Sequence, residues 1–300
     1  YEMNQRDWSS DVCSSDLNCL FSKGAEIYSE ADFEKTRFVD LADYKQKLGQ
    51  ADVVVLCLGE LPSTEKPGDI LSLNLAPEQR ELAKLAYEQN KKVILILLEA
   101  RPRIIHDIVA PAAAIIQGYL PGDYGAEALV QLMYGENNFS GKLPYTYPKF
   151  DGVIEFYDHP RSVDRSKSGD FSAYNPEWDF GYGLSYAQFE YENLSLQTDV
   201  LHGNDSLQIT VRVKNTSGIN GKEVLQLYIS DDFASMIPSG KSLKRFAKLN
   251  IAANGIENKT FYISKKDLMF VGSNGEFIVE DGTFTVSVGT LKKTFTYSSK

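Results

Sequence analysis

Residues that hold metals or crosslink small proteins are scarce in this sequence of 300 residues. It has three cysteines and three histidines, and neither set shows a ligand spacing. An odd number of cysteines gives no disulfide framework, and Cys57 lies in an aliphatic run, where we interpret it as a small buried side chain. The sequence therefore predicts no metal cluster and no disulfide scaffold. The residues concerned are Cys13, Cys19, Cys57, His106, His159 and His202.

Long apolar runs and an excess of positive charge are also missing. The longest aliphatic runs, VVVLCL from Val53 and VILILL from Val93, are too short to cross a bilayer and are typical of buried strands. The formal net charge is -10, and no stripe of Lys and Arg alternates with aromatic residues. We therefore expect no membrane span and no nucleic-acid partner. The 43% hydrophobic content is enough for a core, and the length favours two domains.

The first half of the chain alternates strand and helix patterns. ADVVVLCLG is a continuous apolar strand, and VILILLEARP and AAAIIQGYLPG predict two more. APEQRELAKLAYEQNKK begins with Pro77 and repeats apolar residues at helical spacing, and GAEALVQLMYG predicts a second helix that ends at Gly135. This order indicates an α/β layered sandwich domain with a largely parallel sheet.

The second half has the period of β-strands. A stretch from Asp151 that is rich in Gly, Pro, Ser and aromatic residues predicts an ordered linker. Beyond it, SLQITVRVKN places Leu207, Ile209, Val211 and Val213 on one face. Six further strands are predicted, separated by turns, and together they indicate a β-sandwich of immunoglobulin-like type. They are YENLSLQ, KEVLQLYISD, KRFAKLNI, NKTFYISK, GTFTVSVG and KKTFTYS.

Ligands bind outside the carboxyl ends of parallel strands, and here the loop GELPSTEKPGD is the richest in polar residues. It carries Glu60, Glu65 and Asp69, and Pro62 and Pro67 prevent a continuous helix. A carboxyl group on such a loop is suited to act as a general acid. Taken alone, the same acids are also explained as helix caps or solvated side chains, so the residues leave both interpretations open.

Four segments follow one another in an order that resembles the C-terminal half of glycoside hydrolase family 3, which includes the β-glucosidases. The resemblance runs from about Gly24 to the C-terminus, and NFSGKLPYTYP and FGYGLSYAQFEY are its most specific parts. In that family a TIM barrel precedes an α/β sandwich domain and often a fibronectin type III-like module. The segments are GELPSTEKPGDILSLNL, ARPRII, YLPGDYGAEALVQLMYGENNFSGKLPYTYP and FGYGLSY.

The resemblance implies a retaining exo-acting β-glycosidase in which two carboxyl groups lie about 5 to 5.5 Å apart. It places the general acid/base on Glu60, with Glu65 as the runner-up, and it implies a nucleophilic Asp in a barrel that we expect to be missing here. Asp69, Arg101 and Tyr119 are candidates for the cleft that binds substrate. Glu99 stands before the Arg-Pro pair without an assignable role.

The expected organisation has four parts. Residues 1–17 form a leader that is disordered or an artefact, because RDWSSDVCSSDL at residues 6–17 resembles one translated frame of a common sequencing-library adapter. Residues 18–150 form the α/β domain, residues 151–188 the linker, and residues 189–300 the fibronectin type III-like domain. Asp7-Trp8 falls in the adapter-like stretch, so we do not interpret it as the family's nucleophile.

The expected partners are an oligosaccharide or β-glycoside substrate and the missing barrel, with no cofactor. Relatives that degrade polysaccharides suggest a periplasmic or extracellular location. One alternative of another class is a non-catalytic carbohydrate-binding or scaffold protein. A flavodoxin-like or receiver-type domain is a further alternative, but no phosphate-binding Gly loop and no paired acids after a first strand support it.

Overall fold

The structure is a computed structural model that describes residues 18–30, 33–61, 69–89, 91–152, 174–237 and 239–300. The adapter-like stretch and Glu65 lie outside these residues. The chain divides into two compact units. The described residues of the first unit lie within 18–136 and 148–152, and those of the second lie within 137–147 and 174–300.

The first unit combines short strands with helices. In chain order the described elements are β1 (Ala25–Glu30), β2 (Phe33–Phe38), α1 (Leu41–Gln50), β3 (Val53–Gly59), α2 (Pro77–Glu88), β4 (Lys92–Leu98), α3 (His106–Val109), β5 (Ala114–Gln117) and α4 (Gly125–Met133).

A parallel sheet in the order β3-β4-β5 forms the centre of this unit. On one face of β3, the side chains of Val54, Leu56 and Leu58 are buried, and so is every second residue of β4. The helix α2 lies near this sheet, with Leu82 and Ala86 on its buried face. Alternating burial on β3 thus anchors the strand through one face only.

The other face of β3 is partly open. Val53 and Val55 are 47% and 41% exposed, and Cys57 is exposed as well. The interpretation of Cys57 as a buried side chain is therefore wrong, because the strand presents its odd-numbered residues to this open face. Among the described residues, β3 is also an edge strand, since the sheet continues only towards β4.

The sequence pattern gives no sign of the antiparallel hairpin of β1 and β2, which pairs Ala25 with Phe38. The following helix α1 begins after Asp40, whose carboxylate accepts a hydrogen bond of 2.9 Å from the Asp43 N–H. This side chain satisfies a donor that would otherwise lack a partner at the start of the helix. The Tyr44 hydroxyl on α1 donates to the Leu82 carbonyl oxygen on α2, at 2.7 Å, and this bond ties the two helices together.

The second unit consists mainly of strands. Its described elements are β6 (Phe189–Leu196), β7 (Val200–His202), β8 (Ser206–Asn215), β9 (Gly221–Asp231), β10 (Ser242–Ile251), β11 (Ile256–Ser264), α5 (Lys265–Leu268), β12 (Phe270–Val271), β13 (Phe277–Ile278), β14 (Gly282–Val288) and β15 (Leu291–Ser298).

Two sheets form the sandwich of this unit. One has the order β10-β9-β14-β15-β7 and the other the order β11-β8-β6, with β12 and β13 as a separate pair. Strand pairing in the two sheets is antiparallel except between β15 and β7. Buried aliphatic and aromatic residues from both sheets form one cluster, which includes Ile209, Leu227, Val286 and Phe295. Alternate residues of each strand supply this core, as the period of two in the sequence predicts.

The fold class predicted from the sequence is confirmed: an α/β unit with a parallel sheet precedes an all-β sandwich. All seven strands predicted for the sandwich are present. Residues 137–147 group with the second unit, where the Tyr147 N–H donates to the Trp178 carbonyl oxygen at 2.8 Å. The domain boundaries at 150 and 188 stay a prediction.

Truncation of the sandwich core should destabilise the second unit. Leu227 is fully buried, so we expect Leu227→Ala to lower the free energy of unfolding by about 2–5 kcal/mol through lost burial and a residual cavity. Leu184→Ala is the matched control, because Leu184 is 73% exposed and its truncation should cost less than about 0.5 kcal/mol. Urea unfolding followed by circular dichroism measures both. Equal effects of the two variants would contradict this assignment of the core.

Candidate active site

Three polar segments leave the parallel sheet at the same edge, the one formed by the carboxyl ends of its strands. Strand β3 continues into Glu60, β4 continues into Glu99 and Arg101, and β5 continues into Tyr119. The register pairs Gly59 with Leu98, so the first two strands end side by side. Because ligands bind at the carboxyl ends of parallel strands, this edge is the candidate active site of the first unit.

Gly59 sets the direction in which the chain leaves β3. Its N–H donates to the Gln79 side-chain oxygen at 2.8 Å, and the Gln79 amide nitrogen donates back to the Gly59 carbonyl oxygen at 2.8 Å. A Cβ atom at position 59 would lie 2.0 Å from the Leu98 carbonyl oxygen. Only glycine fits this close approach of two backbones, so the position of Glu60 is fixed by its predecessor.

The Glu60 carboxylate is almost enclosed, with its side chain 1% exposed. One oxygen accepts hydrogen bonds from the backbone N–H groups of Ala100 and Arg101, at 3.0 and 2.9 Å. The other accepts from Arg101 Nε and Nη2 at 2.9 and 2.6 Å, and from Arg103 Nη1 at 3.0 Å. Five donors from one neighbouring loop therefore occupy this carboxylate.

These donors decide the protonation state of Glu60. Burial by itself raises the pKa of this carboxyl, but the hydrogen bonds and the positive charge of Arg101, with a further bond from Arg103, outweigh burial and hold the pKa below its usual 4.5. Glu60 is therefore a carboxylate at neutral pH. A general acid in a glycosidase instead needs a raised pKa so that it can carry a proton.

Arg103 and Glu34 complete the cluster, although the sequence pattern singled out neither as a site residue. Arg103 Nη1 lies 3.2 Å from a Glu34 carboxylate oxygen, and the two side chains are 5% and 8% exposed. The other Glu34 oxygen accepts from the Leu61 N–H at 2.9 Å. The buried Glu99 accepts from the Arg103 N–H at 3.3 Å. In the sequence, the two arginines of ARPRII follow a predicted strand, and this is a signal for Arg103 as a site residue. Glu34 has no such signal, because its place in the cluster depends on the hairpin of β1 and β2, which the sequence does not predict.

The structure thus brings together two of the predicted site residues, Glu60 and Arg101. Tyr119 lies at the same edge and has a φ of 56°, a left-handed conformation that is rare outside glycine and common at functional sites. Asp69 is exposed. The runner-up Glu65 lies outside the described residues. The catalytic and binding roles of all these residues stay predictions.

The described residues contain neither a group of metal ligands nor a membrane-spanning helix. In this part of the chain, no three side chains of His, Cys, Asp or Glu come together in a way that would hold a metal ion. None of the helices described is both long and apolar enough to span a bilayer.

Two family matches cover most of the chain. Residues 19–186 match the Glycosyl hydrolase family 3 C-terminal domain, and residues 223–292 match a Fibronectin type III-like domain. The first match spans the parallel sheet and the Glu60 cluster, and the second lies within the sandwich.

Several proteins named as beta-glucosidases or beta-xylosidases are similar to the chain in sequence. A lysosomal beta glucosidase of Dictyostelium discoideum is 33% identical over 92% of this chain and 34% of its own length. A putative beta-xylosidase of Formosa agariphila is 32% identical over 80% of this chain and 33% of its own length. A periplasmic beta-glucosidase of Salmonella typhimurium is 29% identical over 90% of this chain and 39% of its own length. The chain therefore spans little more than a third of these relatives.

Solved structures agree with the sequence matches. A beta-glucosidase from Listeria innocua in complex with gluconolactone superposes with a TM-score of 0.80 at 30% identity, covering 86% of this chain and 38% of that one. A mutant of the Listeria innocua beta-glucosidase, in complex with laminaribiose, gives a TM-score of 0.77 at 29% identity and covers 86% of this chain and 38% of that one. The fold of the chain is therefore one that known beta-glucosidases contain.

The low pKa of Glu60 predicts a stability that depends on pH. A carboxyl whose pKa is lowered on folding stabilises the native state above its unfolded pKa, and this contribution is lost as the pH falls through the folded pKa. At pH 7 we expect Glu60→Gln to lower the free energy of unfolding of the first unit by about 3 kcal/mol, because two arginines lose their charged partner. The difference from the parent should shrink as the pH falls below about 4.

Urea unfolding at a series of pH values measures this difference. Glu88→Gln on α2 is the matched control, since Glu88 is an exposed residue of the same unit and its substitution should change stability by less than about 0.5 kcal/mol. A deficit of Glu60→Gln that stays constant from neutral to acidic pH would show that charge is not its cause.

Proposed function

The chain belongs to glycoside hydrolase family 3, and from this premise we propose that it is the C-terminal part of a retaining, exo-acting β-glycosidase. The proposed reaction removes terminal β-linked sugars from oligosaccharides. The observation that carries the proposal is the match over residues 19–186 together with the polar loop that leaves β3 within it. Relatives named as beta-glucosidases and beta-xylosidases support the class of substrate.

The proposed mechanism divides two carboxyl groups between two parts of the full enzyme. In retaining glycosidases one carboxylate forms a covalent glycosyl intermediate, while the other carboxyl protonates the leaving oxygen and then activates water. We assign the second role to this chain, on the loop that begins at Glu60. The nucleophile is assigned to the barrel that precedes this part in the family, and the two groups must come within about 5.5 Å of each other.

The contacts of Glu60 favour Glu65 as the acid/base. Glu60 binds five donors, is enclosed, and has a lowered pKa, so it is poorly placed to give a proton to a sugar. Glu65 is the other glutamate of the same loop. We therefore propose Glu65 as the acid/base and keep Glu60 as the competing assignment.

The contacts with the sugar and the location belong to the same proposal. Asp69, Arg101 and Tyr119 are proposed to line the side of the cleft that this chain supplies. Names of relatives that include both glucosidases and xylosidases support a β-glycoside with glucose or xylose at its non-reducing end. A periplasmic and a lysosomal relative support a location outside the cytoplasm, in the periplasm or beyond the cell.

The chain by itself should be inactive. Without a nucleophile no glycosyl intermediate forms, so purified protein should not hydrolyse aryl β-glucosides or aryl β-xylosides above the rate of a buffer blank. Release of nitrophenol measures this, with a complete family β-glucosidase as the positive control. Hydrolysis that follows the purified chain through two different columns would overturn the division of roles. Tight binding of oligosaccharides without hydrolysis in any longer form would instead support a carbohydrate-binding protein.

Glu65 and Glu60 can be separated in a fusion of this chain to the N-terminal part of a family β-glucosidase. Glu65→Gln should lower kcat about 100-fold or more on substrates with poor leaving groups and much less on activated aryl glycosides, because only the former need protonation. External azide should partly restore turnover of the activated substrates.

Glu60→Gln is the matched comparison in the same fusion. It should lower turnover on poor leaving groups less than Glu65→Gln does, and azide should restore little of the loss, since it disturbs the cluster but keeps the proton donor. The opposite pattern, with azide rescue at position 60 and none at position 65, would return the acid/base role to Glu60.

A further inference from the structure

The segment from Leu61 to Asn74 connects β3 with the start of α2, and bonds from the hairpin and from the loop after β4 hold its two ends. At its entry, the Leu61 N–H donates to Glu34 at 2.9 Å. At its exit, the Asn74 carbonyl oxygen accepts from Arg103 Nη2 at 3.0 Å. Backbone bonds reinforce the exit, where the Leu75 N–H donates to the Ile104 carbonyl oxygen at 3.0 Å.

Arg103 links both ends through one guanidinium group. Its Nη1 lies 3.0 Å from Glu60 and 3.2 Å from Glu34, and its Nη2 donates to the Asn74 carbonyl oxygen. These partners come from the end of β3, from β2 and from the approach to α2. One side chain therefore contacts three segments that are distant in sequence and that together bracket the loop.

Burial of these three charged side chains makes the arrangement costly in free energy. The Arg103 side chain is 5% exposed, and Glu34 and Glu60 are similarly enclosed. Taking such charges out of water costs several kcal/mol per ion, and their attraction returns this only when the geometry is good. Buried ion pairs are thus weak evidence for stability, and their best-supported use is to specify one arrangement of the chain.

We propose that Arg103 is a positioning residue for the acid/base loop, which fixes Leu61 at the entry of the loop and Asn74 at its exit relative to the parallel sheet. This inference rests on the proposed function for the role of Glu65. It assigns to Glu60 and Glu34 the task of orienting Arg103 and the entry of the loop.

The shape of the arginine side chain is essential to this role. A guanidinium is a planar fork whose two terminal nitrogens point in different directions, so one serves the two carboxylates and the other serves Asn74. A lysine keeps the positive charge but is a point donor on a flexible stem. Arg103→Lys should therefore preserve the pairing with the carboxylates and release the exit of the loop.

Hydrogen exchange on the chain itself tests the proposal without any activity. In Arg103→Lys, protection of the Leu75 amide should fall about tenfold or more, while peptides of β4 exchange as in the parent. In Glu34→Ala, the Leu61 amide should lose protection and the Leu75 amide should keep it. Arg80→Lys is the matched control, because Arg80 lies on α2 in the same unit and pairs with Asp107 rather than with the loop.

Two results of this experiment would overturn the proposal. In one, the Leu61 and Leu75 amides keep their parental protection in Arg103→Lys and Glu34→Ala. In the other, exchange rises equally across β3, β4 and the loop, which would make the cluster a general stabiliser of the unit. If Arg103→Lys does not fold, exchange of the Leu61 amide in Glu34→Ala still tests the proposal.

A double-variant cycle in the fusion adds a catalytic readout. Arg103→Lys should lower kcat on poor leaving groups about 10- to 100-fold with little change in KM, because displacement of a catalytic group by about 1 Å has effects of that size. In a Glu65→Gln background the same change should have almost no further effect. Full additivity would overturn the positioning role. An unimpaired Glu65→Gln would instead refute the proposed function and leave the exchange result standing.

Discussion

The first unit depends on one interaction, the pairing of the Glu60 carboxylate with Arg101 and Arg103. Parallel strands leave their polar connections at one edge, and nothing in the sheet itself determines how those connections are arranged. The five hydrogen bonds on Glu60 join the end of β3 to the loop after β4. Through Arg103 the same bonds reach the hairpin and the approach to α2. The candidate active site thus depends on the Glu60 carboxylate, which binds both arginines.

This arrangement changes how a glutamate directly after a strand is interpreted. A carboxyl group at the carboxyl end of a parallel strand is in the right place for catalysis, yet its environment decides what it can do. Glu60 has donors on both oxygens and a pKa below its usual value, and it is enclosed by protein. A group in these surroundings orders its neighbours. The proposed function therefore gives proton transfer to the other glutamate of the same loop.

Most of the fold could be predicted because its signals are local. The aliphatic run of β3, Pro77 at the start of α2 and the period of two in β8 each depend on residues close in sequence. The cluster could not be predicted in full, because the pair of Glu34 and Arg103 depends on a hairpin whose strands show no clear alternation. The interpretation of Cys57 as buried is wrong because an aliphatic run indicates a strand but not which of its faces is covered. Catalytic roles depend on distances to groups that local patterns do not contain.

The open face of β3 has a consequence for the behaviour of the chain in concentrated solution. Val53 and Val55 lie beside backbone groups that, among the described residues, pair with no further strand on that side. Proteins usually blunt such edges with charge, proline or a covering element. A net charge of -10 keeps molecules apart at long range, but salt screens it within about 10 Å at about 0.1 M. Because salt screens this charge, raising the salt concentration should favour contacts between the β3 strands of different molecules.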